Sequence, residues 1–130
     1  MPTQDSVSRS IVLPVAPEQA WDALTRPGEL AEWLADEVVC EDDLDEGSEA
    51  LLRWEDGQER VAVVEEADEP SRLTFRWRAD GTGDETRVEF TLVELPREQT
   101  LLTVVESGFA ALPAGWGPKL VAHAGALLRA

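Results

Sequence analysis

The sequence predicts an α+β fold, a meander of antiparallel strands with one dry face, two short helices after the first strand, and a long final helix whose apolar stripe can bury against that face. Three observations carry this reading. Period-two alternation recurs between turn dipeptides through the middle of the chain; apolar residues recur at helical spacing near residues 17–34 and again after Gly108; and prolines stand where one pattern yields to the next.

The first alternation, Val7, Arg9, Ile11 and Leu13 against Ser8 and Ser10, ends at Pro14 and predicts a strand over 6–14. Pro17 suits the first position of a helix with Glu18 in its first turn and Ala20, Trp21 and Leu24 on its apolar stripe. Pro27 restarts the pattern, and Leu30, Trp33 and Leu34 then lie at i, i+3 and i+4, so two short helices meet at that proline. Turn dipeptides follow at Glu46-Gly47, Asp56-Gly57, Pro70-Ser71, Asp80-Gly81 and Pro96-Arg97. Asp-Gly between two alternating runs predicts a type I′ hairpin, with positive φ at both central residues. Leu73, Phe75 and Trp77 alternate with Thr74, Arg76 and Arg78, while Val88, Phe90 and Leu92 alternate with Glu89 and Thr91, which gives these strands one dry and one wet face. After Gly108 the period changes: Trp116, Leu120, Ala124, Leu127 and Leu128 share one side of a helix that starts near 113–115 and runs to the C-terminus.

The chain has 130 residues, 43% of them hydrophobic, with five Trp and three Phe, enough for one core. No repeat or linker divides it, so residues 1–130 are read as one domain. Twenty-seven Asp and Glu against eleven Lys and Arg leave a net charge of −16, which repels nucleic acid and anionic membrane surfaces. Cys40 is the single cysteine, so no internal disulfide forms. No apolar run reaches the roughly 18 residues of a spanning helix. A cytoplasmic protein without membrane insertion, monomeric or homodimeric, is expected.

The acidic stretch from Asp36 to Glu49 lacks the ligand order of a calcium loop and reads as a solvated strand and turn edge. Asp80-Gly81-Thr82-Gly83-Asp84 reads as a hairpin loop, because carboxylates beside the glycines would repel a phosphate. One His and one Cys cannot fill a zinc site, so no metal and no cofactor is assigned. His123 lies at the edge of the final helix's apolar stripe, the place of a partly exposed or hydrogen-bonded structural histidine, and a functional role is the alternative. Cys40 beside carboxylates reads as a small strand residue rather than a reactive thiol. Glu106 follows Leu102 and Val104 at a spacing of two and so reaches the dry face; there it extends to the rim, pairs with an arginine such as Arg53, or offers a polar contact inside a pocket.

Several segments together resemble the SRPBCC (START-like, helix-grip) superfamily and, within it, the activator-of-Hsp-90-ATPase homologue-like group. They are the run from Ala16 to Thr25 with LAEWL at Leu30–Leu34, then RLTFRW at Arg72–Trp77, RVEFTLVE at Arg87–Glu94, TLLTVVESGF at Thr100–Phe109, and Gly115-Trp116 opening a final helix. The resemblance implies the order β-α-α-β6-α, in which a bent sheet grips the C-terminal helix and can enclose an apolar cavity. Two departures fall near such a cavity's mouth: Asp45–Glu49 replaces a glycine-rich hairpin, and Glu106 stands where a histidine is usual before Ser-Gly-Phe.

The leading expectation is a non-enzymatic domain binding a small hydrophobic or amphipathic molecule between the sheet and the last helix. Its lining would be Trp54, Phe75, Trp77, Phe90, Phe109, Trp116, Leu120 and His123, with Glu106 as a polar contact. No catalytic residue is assigned. A chaperone-associated protein is the second expectation, which the group's name suggests, and the third is a cyclase- or hydratase-like enzyme with His123 or Glu106 as acid or base.

Overall fold

Among the described residues, seven antiparallel strands and three helices follow one another in the order read from the sequence. The computed structural model describes residues 6–79, 85–108 and 116–127. Its elements are β1 (Ser6–Leu13), α1 (Pro17–Thr25), α2 (Pro27–Trp33), β2 (Glu37–Val39), β3 (Glu49–Arg53), β4 (Glu59–Asp68), β5 (Arg72–Ala79), β6 (Glu85–Leu95), β7 (Gln99–Gly108) and α3 (Trp116–Leu127). The strands form one sheet in the order β1-β7-β6-β5-β4-β3-β2, a meander whose last strand folds back beside the first.

Local chemistry explains the helical corner. Pro17 and Pro27 each occupy the first turn of a helix, where a missing N–H costs nothing. Arg26, extended at φ −84 and ψ 124, ends α1 and begins α2, because Pro27 disfavours a helical residue before it. The Trp33 indole N–H donates to the Ala23 carbonyl at 2.8 Å, fixing α2 against α1 with both groups buried. Thr100 Oγ donates to the Val15 carbonyl at 2.8 Å and ties the start of α1 to β7.

Register sets the inner face. Leu13, Ala62, Val64, Leu73, Phe75, Trp77, Val88, Phe90, Leu102 and Val104 are all buried, each on the inward parity of its strand. In β4 the pairing shifts between Val64 and Glu66, a bulge that bends the sheet around the helices. Leu24, Leu30 and Leu34 cover the inner face from α1 and α2, and Leu120 and Ala124 cover it from α3.

Two sequence expectations need revision. The Asp56-Gly57 hairpin is not type I′: Gly57 alone in it has positive φ, +92°, its N–H reaches the Trp54 carbonyl at 3.0 Å, and Trp54 N–H reaches the Gln58 carbonyl at 2.9 Å. That is a type I turn closed by a glycine bulge, which asks for a left-handed conformation at the glycine and spares Asp56. The final helix is described over Trp116–Leu127; the expected start at 113–115 and Leu128 lie outside the described residues. The first strand is dry over only half its length, with Val7 53% exposed although its parity is inward. The Asp80–Asp84 hairpin loop also lies outside the described residues.

Leu102 is fully buried in the centre of β7, between Leu92 and Ile11. Leu102→Ala is expected to lower the unfolding free energy by about 2–5 kcal/mol in urea titrations, with the slope of the transition unchanged.

Candidate functional site

The inner face changes character toward the end of the sheet that carries the start of β1 and the end of β7. Arg60 shares its parity with Ala62 and Val64, so β4 directs a guanidinium inward one step beyond the apolar residues. Its central carbon lies 4.5 Å from the centroid of the Trp77 ring and 5.3 Å from that of Trp54, a cation held against two indole faces. The two indoles meet edge to face at 6.2 Å, and Phe75 and Phe90 continue the aromatic series at 5.3 Å from Trp77 and 5.9 Å from Phe75. Trp54 is anchored by its own N–H, which donates to the Leu34 carbonyl at 3.0 Å.

Glu106 comes from β7, paired with Val88 of β6 and Val7 of β1. Burial pushes the Arg60 guanidinium below its ordinary pKa, and the carboxylate of Glu106 pulls it back up. The arginine that answers Glu106 is therefore Arg60, not Arg53. Arg53 sits on the other parity of β3 and binds Glu59 at 2.9 Å and Glu37 at 3.2 Å. Sequence reading missed Arg60 because the valines that follow it, Val61 and Val63, make both parities of ERVAVVE look dry, although Val63 is 39% exposed. The usable signal was its spacing of two from Ala62 and Val64.

Other expected lining residues go elsewhere. Phe75 and Phe90, with Leu24, Leu30, Leu34 and Ala62, border a space of about 10 Å3, room for one water and far too little for an aromatic ligand. Leu120 is fully buried core. His123 lies within 3.0 Å of Glu29 through Nε2 and Oε1, which ties α3 to α2 and is the structural role that its wheel position suggested. Phe109 lies outside the described residues, as does the side chain of Trp116.

A second concavity was not foreseen. The acidic stretch is exposed, as expected, but it also walls an open cleft of about 820 Å3 between α1 and the 41–48 segment, where Asp22, Asp42 and Asp43 face Arg26 and Trp21. Arg26 reaches Asp22 at 3.5 Å and Asp43 at 4.0 Å. Among the described residues no group of side chains is arranged to hold a metal ion. Asp22 is held above its ordinary value of 3.8, chiefly by burial and further by Glu29 and Asp43, against the opposing pull of Arg26.

This is the START-like, helix-grip fold. The chain belongs to the family described as activator of Hsp90 ATPase homolog 1-like protein, whose model matches residues 14–125. No protein of curated function matches by sequence. Among solved structures the chain is similar to DynU16, a protein in the dynemicin biosynthetic locus, at 25% identity and TM-score 0.73, over 98% of this chain but 48% of that one, so it spans about half of DynU16. An HSP90 activator from Plasmodium falciparum shares the fold at 17% identity and TM-score 0.74, over 95% and 96% of the two chains. A START superfamily protein from Mycobacterium smegmatis does so at 18% and 0.67, over 95% and 89%. No helix among the described residues is long and apolar enough to cross a membrane.

Asp22 yields a pH prediction. A carboxyl raised in the folded state makes ionisation oppose folding, so its cost is present at neutral pH, falls as pH drops through the folded value, and is gone below about 3.8. Asp22→Asn is expected to melt above the parent at pH 7, with the difference closing as pH approaches the unfolded value, measured by calorimetry.

Proposed function

We propose that this protein binds a small amphipathic molecule on the inner face of the sheet, beside α3, with the ligand's flat apolar body against Trp54 and Trp77 and its polar head against Arg60 and Glu106. The observation that carries this reading is the charged pair on an otherwise apolar face. Taking an arginine partly out of water is costly, and apolar residues of similar size would serve packing as well or better. Small-molecule sites combine apolar walls with a few converging polar groups, and those four side chains have that composition. The tightly filled space beneath α1 and α2 directs a ligand to this polar end. The occurrence of DynU16 in a biosynthetic locus supports a small-molecule role. The net charge of −16 disfavours anions at long range, so a neutral head with donors and acceptors suits the pair best.

The test is native mass spectrometry of the purified protein, then a thermal-shift screen of hydrophobic acids, lipids and polyphenolic aromatics. A ligand at a hundredfold excess over Kd raises stability by about 2.7 kcal/mol. Binding is expected in the parent and is weakened about tenfold or more in Arg60→Met. Silence across the screen in the parent, or full binding by Arg60→Met, would overturn the reading.

A second reading, contact with a chaperone, draws on the acidic cleft, which suits a lysine- or arginine-bearing segment, and on the fold shared with the Plasmodium HSP90 activator. It predicts that a chaperone is enriched in pull-downs by the parent and lost with Asp42→Lys/Asp43→Lys; enrichment of none would end it.

A further inference from the structure

We propose that β1 is the interface of a homodimer in which two copies join edge to edge, extending the sheet across a two-fold axis at Ser10. The two ends of the sheet are treated differently. At one end β2 is three residues long, carries Glu37, and leads into the acidic stretch, so a short strand and repelling charge blunt that edge. At the other end β1 pairs with β7 over eight residues without a register shift and contains no proline, lysine or acidic residue. Its one charged side chain, Arg9, lies on the inward parity, and neither a proline nor a bulge interrupts the strand.

Charge distinguishes this strip from the rest of the surface. The outer face of β4, β5 and β6 is laced with ion pairs, among them Arg76 and Arg87, which both reach Glu65 at 3.0 Å, and Arg72, which reaches Glu89 at 3.3 Å. Next to it, Ser8, Ser10 and Val12 of β1 face Val105, Thr103 and Leu101 of β7, with no charge on either strand's outer side. Two copies at −16 each repel over most of their surfaces, and an uncharged edge is where backbone can meet backbone. The exposed Val7 and Val12, 53% and 47%, gain cover there.

The occupant is a second copy because the strand is complementary to itself. Joined sheets must keep inward residues opposite inward residues, which restricts the two-fold axis to passing through a residue. An axis at Arg9 would set two guanidinium groups against each other. An axis at Ser10 puts Ser10 opposite itself, Ser8 opposite Val12 of the partner subunit, Arg9 opposite Ile11 of the partner subunit, and Val7 opposite Leu13 of the partner subunit. This arrangement pairs nearly all of β1 without opposing like charges. Heavier association is not expected, since β2 offers no second sticky edge.

Sedimentation velocity over a wide concentration range is expected to show the full chain passing from monomer to dimer. Ser10→Glu and Ser10→Lys, each folded by circular dichroism because Ser10 is exposed, set like charges face to face at the axis, so each is expected to raise the dimer Kd about tenfold or more. Mixing the two variants should restore a mixed dimer, identified by its mass in native mass spectrometry. A parent that stays monomeric at every concentration overturns the proposal. So does a Ser10→Glu protein that dimerises like the parent, or a mixture that forms no mixed dimer. The parent's concentration dependence decides even if a variant misfolds.

Discussion

An antiparallel sheet with one dry face must have that face covered, and among the described residues helices of nine, seven and twelve residues contribute to it. At 1.5 Å per residue the longest is about 18 Å, whereas an eleven-residue strand such as β6 extends about 37 Å. Among the described residues, the inner face is left partly exposed at one end of the sheet. The strands record where cover stops. On β1 Leu13 is buried, Ile11 is half-buried, and Arg9 and Val7 are exposed; on β7 Leu102 and Val104 are buried and Glu106 is half-exposed; on β4 the buried Val64 and Ala62 give way to Arg60. All three transitions run toward the same end, because neighbouring strands are antiparallel.

That transition creates the candidate site. Had the helices covered the whole sheet, Arg60 and Glu106 would have been buried ions with a large desolvation cost. Had they covered less, Trp54 and Trp77 would lie open. At the present boundary a guanidinium can leave part of its hydration, lie against two indoles and feel a carboxylate across the sheet. The same partial exposure offers the apolar and polar surfaces that the proposed amphipathic ligand would use. His123 contributes indirectly, since its contact with Glu29 holds α3 to α2 and so helps set where the cover ends.

The strongly acidic composition is distributed, not uniform. Scarce cations are concentrated on the outer face of the central strands, where Glu65 serves Arg76 and Arg87 together. Single surface pairs contribute little, about 0–1 kcal/mol, but here they also relieve repulsion among carboxylates. The excess acid gathers around the cleft beside α1, and burial and repulsion raise Asp22 there. The outer side of β1 and β7 is left without charge.

By itself the sequence determined element type and order, because those depend on local physics. Pro17 and Pro27 start helices through a fixed φ and a missing donor, and Leu73, Phe75 and Trp77 share a face because a strand's period is two. Even Glu106 was placed on the inner face by counting from Leu102. Only the tertiary structure decided which inner-face residues meet, since that depends on strand order and on how far the helices reach. It exchanged Arg53 for Arg60 as the cation answering Glu106, because β4 rather than β3 directs an arginine inward. It closed the space around Phe75 and Phe90 by packing Leu24, Leu30 and Leu34 into it, and it brought residues 41–48 against α1 to make a cleft that no local pattern encodes. Periodicity is carried by each segment alone, whereas a site is made from side chains that become neighbours only when separate segments meet.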